Sequence, residues 1–151
     1  MTEEELVEKF KSENITLSPL YKRVIAHMID EFIVACFVFF AFYDILGANA
    51  QNSEALSVII EYLAPYIVLM KIIYQTFFVR FYGATVGKIA VKIRVISTID
   101  GQNPNVFLSL VRANMRILSE AVFFIGFLWA LKNFKKQTWE DIGAKTLVVN
   151  A

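Results

Sequence analysis

The sequence predicts an all-α membrane protein with two transmembrane helices, a third apolar helical segment and a small cytoplasmic β element at about 89–96 and 146–149. Three observations carry that prediction. Hydrophobic residues make up 57% of the 151, and mean hydropathy is +0.53, beyond the usual range of soluble domains. Two apolar runs are long enough to cross the roughly 30 Å hydrocarbon layer. A short stretch after the second span changes from a helical spacing to the period of two expected of a strand, and a second short stretch reads as its partner.

Residues 1–22 form a polar, cytoplasmic N-terminal segment. Leu6, Val7, Phe10 and Leu17 give it a short apolar stripe that suits an interfacial helix as well as a solvated tail. Its acidic start, Met1-Thr-Glu-Glu-Glu5, lacks the basic residues of a secretory signal, so the first span is expected to remain uncleaved. A membrane domain over 23–149 follows, with helices at about 24–46, 55–79 and 106–134. The first span carries His27, Asp30, Glu31 and Asp44. The loop 47–54 has no Lys or Arg, whereas Lys9, Lys11, Lys22 and Arg23 precede the span. The positive-inside rule therefore places the N-terminus in the cytoplasm and this loop outside. In the second span Pro65 predicts a kink or a break.

After the second span, Ile89, Val91, Ile93 and Val95 alternate with Ala90, Lys92, Arg94 and Ile96, which reads as a strand. Thr146-Leu-Val-Val149 is its candidate partner, because a lone strand leaves its backbone groups unpaired. Asp100-Gly101 supplies a turn and Asn103-Pro104-Asn105 a helix start. The apolar stretch Ala121–Leu131 is short for a crossing. A full span would put Lys132, Lys135, Lys136 and Lys145 outside, which favours a re-entrant or interfacial path turning near Gly126. No internal repeat of the kind found in transporters is evident.

Several chemistries are excluded. A net charge of +1 gives no basic field for nucleic acid. Cys36 is the only cysteine and His27 the only histidine, so no zinc-type cluster or disulfide can be assembled, and neither metal nor cofactor is expected. Gly83-Ala-Thr-Val-Gly87-Lys88 misses the spacing of a phosphate loop, and Ile89 stands where a magnesium-binding hydroxyl is required. Asn14-Ile15-Thr16 is a chance match to a glycosylation acceptor on the cytoplasmic side. With no nucleophile and base at workable spacing, the chain is not expected to be an enzyme.

The informative feature is charge inside apolar spans. Asp30, Glu31 and Glu61 fall in or near hydrocarbon, where each costs about 2.5–3.5 kcal/mol without a partner. Arg23, His27 and Asp30 share one helix face, yet Arg23 and Asp30 stand roughly 10 Å apart along the axis and must look to other elements. Arg112, Arg116 and Glu120 recur every four residues as a polar stripe, able to reach Asp30 or Asp141 if the helices pack. Either an ion-pair network fixing helix register or a proton or cation pathway fits that arrangement.

These residues resemble the RDD family of small bacterial membrane proteins, named for an Arg and two Asp residues. Arg23 and Asp30 lie in Tyr21-Lys-Arg-Val-Ile-Ala-His-Met-Ile-Asp30, and Asp141 lies in Gln137-Thr-Trp-Glu-Asp-Ile-Gly-Ala-Lys-Thr146. Between them stand Thr85-Val-Gly87-Lys88, Ile93-Arg-Val95, Asp100-Gly101 and Ala113. Trp139-Glu140 departs from the Leu-His pair frequent in the family. The resemblance implies residence in the bacterial inner membrane. Some family members act as monovalent cation/proton antiporters, which implies Asp30 as the exchanging carboxylate, with Arg23 and Asp141 as gating or structural charges. Two spans are few for alternating access, so a homo-oligomer is expected. The other expectation is an accessory or scaffold subunit of a larger membrane complex.

Overall fold

A computed structural model describes residues 15–122 and 137–151, together with Glu8, Ser12 and Trp129. Helix α1 spans Leu20–Ala41 and passes through Phe42 into a short α2, Tyr43–Ala48. Helix α3 spans Ser53–Tyr82. Both α1 and α3 are long and apolar enough to cross a membrane, at about 33 and 45 Å of rise. The first span thus begins before Val24 and stops short of Leu46: Arg23 is buried inside the helix and is not a flanking charge. Pro65 does not end α3, which continues on both sides of it. It removes one backbone donor in an apolar helix that tolerates the loss.

Burial on these helices is inverted relative to a soluble protein. The buried residues of α1 are Arg23, Ala26, Asp30 and Val34, one stripe at helical spacing. Its outward residues include Phe32, Phe37 and Phe40, each at least 67% exposed. Charges inside and aromatics outside are what a hydrocarbon solvent selects.

Gly83 ends α3 in the left-handed conformation at φ 69°, where the Asn103 side chain lies against it and leaves no room for a Cβ. Then come α4 (Val86–Ala90), β1 (Ile93–Ser97), α5 (Val106–Ala121), α6 (Trp139–Gly143) and β2 (Thr146–Asn150). The predicted strand at 89–96 is corrected at its start. Ile89 and Ala90 belong to α4, and the chain reverses at Lys92, φ 56°, before the strand begins. Apolar alternation ran across that boundary without marking it. The helix expected over 106–134 reaches Ala121; the proposed turn at Gly126 lies outside the described residues, as do Leu6, Val7 and Phe10.

β1 and β2 pair antiparallel with Val95 opposite Val148. One face of the ribbon packs Ile93, Val95 and Val148 on Ala26 and Val79, while Ile96, Leu147 and Val149 cover Ile15 and Leu17. Leu17 is therefore bridged to Val149 and does not belong to an interfacial stripe.

The structure also shows a repeat that the sequence reading missed. Thr85 and Thr138 precede five-residue helices, each helix is followed by a lysine at positive φ, Lys92 or Lys145, and each lysine leads into a five-residue strand. The backbone bonds match: Ile89 N–H to Thr85 C=O and Lys92 N–H to Ile89 C=O in the first copy, Ile142 to Thr138 and Lys145 to Ile142 in the second. Val95 and Val148 are equivalent positions and are also opposite one another, so a local two-fold axis passes between them. Few side chains are shared between the copies, which hid the repeat.

Candidate functional site

Asp30 is held at the junction of α1, α3 and α4. Its Oδ1 accepts from Tyr74 Oη at 2.9 Å and from Gly87 N at 2.8 Å, and its Oδ2 accepts from Thr85 Oγ1 at 2.7 Å. Arg116 Nη1 stands 3.5 Å from Oδ2. Its carboxylate lone pairs are thus engaged. Gly87 is required by the approach itself, since a Cβ there would strike the Ala26 carbonyl.

Asp141 is the second buried carboxylate, fully excluded from solvent. Oδ1 pairs with Arg112 and Oδ2 with Arg23 at 3.0 Å; Oδ2 also accepts from Thr138 N at 3.2 Å. Arg112 further meets Thr146 Oγ1 and, at 3.2 Å, Glu140 Oε1. Arg23 donates to the Val148 carbonyl at 3.1 Å. One carboxylate thus joins α1, α5 and α6, and the strand β2 is tied to the same point.

A third group surrounds Lys71 of α3. Its Nζ lies 2.7 Å from Glu31 Oε2 and 2.9 Å from Glu120 Oε2. Arg116 flanks the other oxygens, with Nε 3.2 Å from Glu120 and Nη2 3.6 Å from Glu31. His27 Nδ1 is 2.5 Å from Arg116 Nη2. His27, Glu31 and Glu120 bring one ligand atom each within 4.8 Å of one another, enough to hold a cation. At present the lysine ammonium serves both carboxylates.

Beside these groups lies a cavity of about 250 Å³ bordered by Arg23, His27, Lys88, Arg116, Ser119 and Glu140. Lys88 is only 5% exposed, and among the described residues its Nζ has no hydrogen-bond partner; Glu140 Oε2 has none there either. Burial pushes the Glu140 carboxyl up, but Arg112 and Lys88 outweigh that and hold it at about 2. Burial, reinforced by Arg112 and Arg116 against Glu140 and Asp141, pulls Lys88 down from 10.5 to about 8. Between those two values the unfolded chain binds a proton that the folded chain has released, so stability rises with pH across the window, by roughly 1 kcal/mol per unit. Unfolding in detergent at about pH 8 and about pH 10 measures this: wild type gains stability relative to Lys88→Met, whereas equal pH slopes would exclude Lys88 as the titrating group.

Of the residues picked from sequence, Arg23, His27, Asp30, Glu31, Arg112, Arg116, Glu120, Gly87, Lys88 and Asp141 all fall in this connected region. Glu61 does not. It is exposed on α3, about 15 Å along the axis from Lys71. Sequence reasoning ranked Lys71 as a weaker candidate, since its stem allows snorkelling, gave Thr85 only as part of a motif and Glu140 only as a departure from one, and missed Tyr74. A lysine deep in an apolar run, a helical turn before a tyrosine, was the available signal.

A family model described as the RDD family matches residues 17–145. No curated protein and no solved structure matches the chain.

Proposed function

The chain belongs to the RDD family and is a membrane protein; on that premise we propose that it exchanges a monovalent cation for a proton at the Glu31–Lys71–Glu120 site. The observation carrying this reading is the Lys71 ammonium at 2.7 and 2.9 Å from two carboxylates supplied by different helices. An alkali cation is the natural alternative occupant, since carboxylate oxygens suit hard cations. A cation entering from one side takes the two carboxylates, and the Lys71 ammonium, swung off them, gives its proton to water on that side; a proton taken up by Lys71 from the other side returns the ammonium to the carboxylates and releases the cation there. One charge replaces another, so the site stays neutral through the cycle. Asp30, with its oxygens engaged by three hydrogen-bond donors and Arg116, acts as the joint that holds α1 to α3 and α4.

Lys71 lies in the half of α3 nearer Tyr82, and in this reading that end faces the cytoplasm, as the positive-inside rule expects for the end of α1 that carries Lys22 and Arg23. The bacterial inner membrane and a homo-oligomeric assembly complete this reading.

Proteoliposomes with a preset proton gradient test it. Sodium or potassium addition is expected to dissipate the gradient with wild type. Lys71→Arg keeps both ion pairs but does not release its proton at physiological pH, so its exchange should fall to the protein-free background. Exchange by Lys71→Arg at the wild-type rate rules the mechanism out.

A second reading is favoured by the exposed aromatics of the spans, among them Phe32, Phe40 and Tyr62. They suit a non-enzymatic accessory subunit packed against a larger membrane complex. Mild-detergent purification from the native membrane that yields a homo-oligomer alone counts against it.

A further inference from the structure

The cavity beside Lys88 borders the Lys71 site and shares Glu120, His27 and Arg116 with it, but its unmatched groups, Lys88 and Glu140, take no part in the ion exchange proposed there. Two groups in it are unusual together. Among the described residues, Lys88 Nζ is a buried cation without an acceptor, and Glu140 Oε2 is a buried oxygen without a donor. The two residues border one space but form no ion pair with each other. Leaving such groups unmatched is costly, so a ligand that supplies both an acceptor and a donor gains what the protein lacks.

Size argues against a single bridging water. At roughly 30 Å³ per water, about 250 Å³ holds a molecule of several heavy atoms. The exposed residues next to the cavity narrow the class. Val24 borders the cavity and is 41% exposed, and its neighbours Tyr21, Ile25 and Met28 are 63%, 44% and 65% exposed. That apolar flank belongs to the first turns of a spanning helix, at the level where lipid headgroups lie. Arg23, on the same wall, adds positive charge for an anion, and Glu120 adds negative charge for an amine.

We propose that this cavity binds the headgroup of a phospholipid bearing a primary amine, its phosphate on Lys88 and its ammonium on Glu140. A phosphate accepts from an ammonium in charge-assisted bonds, and a primary amine supplies the N–H that Glu140 Oε2 lacks. A quaternary amine has no N–H to give.

The test uses full-length protein in detergent, with thermal unfolding followed in mixed micelles of phosphatidylethanolamine, phosphatidylglycerol or phosphatidylcholine, and with soluble O-phosphoethanolamine. Phosphatidylethanolamine is expected to raise Tm by about 4 °C or more at saturation, and the other two lipids by clearly less. Lys88→Met removes a buried unmatched charge, so it should melt at or above wild type without lipid and lose the phosphatidylethanolamine rise. Glu140→Gln keeps an oxygen for Arg112 but presents an amide, so it should respond equally to phosphatidylethanolamine and phosphatidylglycerol. An undiminished rise in Lys88→Met, or a retained amine preference in Glu140→Gln, overturns the assignment. A full rise with O-phosphoethanolamine alone overturns the lipid source in favour of a soluble phosphate monoester.

Discussion

Asp141→Asn will cost about 3–5 kcal/mol of folding stability, the largest effect expected of any single substitution here. The carboxylate is fully buried between Arg23 and Arg112, themselves 4% and 0% exposed. Asn keeps the shape and one acceptor, but it takes the shared negative charge from between two guanidinium groups in a low-dielectric interior; among the described residues Glu140, at 3.2 Å from Arg112, is the carboxylate still paired there. It also directs an amide N–H group toward one of two sites that now receive donors. At about 2–4 °C per kcal/mol for a chain of this size, Tm in detergent should fall by about 10 °C. Adding Arg23→Met to Asp141→Asn should restore part of the loss, because it removes one of the stranded charges. The double variant is then less destabilised than the sum of the single effects. A Tm for Asp141→Asn within about 2 °C of wild type would falsify the idea that this carboxylate joins the helices.

Gly87→Ala comes second, at about 3 kcal/mol, the upper end of the range for overpacking. The added methyl meets the Ala26 carbonyl and stands 2.9 Å from Asp30 Oδ1. The first of these is backbone of a long helix and cannot rotate aside, so α4 must move off α1. Gly87 N–H then withdraws from Asp30, and Thr85 Oγ1, which bonds the same carboxylate, moves with it. The loss should therefore shrink in an Asp30→Ala background, where there are no such bonds to break. Equal costs of Gly87→Ala in the two backgrounds would show that the glycine acts through its approach to the Ala26 carbonyl alone and not through the bonds to Asp30. Thermal unfolding of the four proteins in one detergent makes the comparison.

The parts of this molecule legible in the sequence are those set by local period. Hydropathy over 20-residue windows locates both spans; alternation over 89–96 finds the first strand but starts it four residues early, and 146–149 follows as the partner a lone strand needs. The four-residue spacing of Arg112, Arg116 and Glu120 predicts a polar face, and the candidate partners Asp30 and Asp141 follow from the need to satisfy buried charge. Lys71 was not legible as a site residue, because its worth depends on Glu31 and Glu120 arriving from other helices. Glu140 was visible only as a departure from a familiar pair. The Thr85-to-Lys88 run was recognisable as a pattern without a cause; the cause is the close approach of α4 to α1, which only packing reveals. The duplicated helix–lysine–strand unit escaped because backbone conformation repeats where side chains do not.

The ribbon and Asp141 also bear on the order in which this protein can be made. Arg23 and Asp141 are separated by 118 positions, and Asp30 and Gly87 by 57. During synthesis at about 5–20 residues per second, Arg23 enters the bilayer interface several seconds before its counter-ion exists. The Asp30 joint can close earlier, once α4 has emerged. Insertion is thus expected to proceed through a half-assembled pair of helices carrying one satisfied and one waiting charge, and β2, translated directly after Asp141, acts as the clasp that ends that exposure.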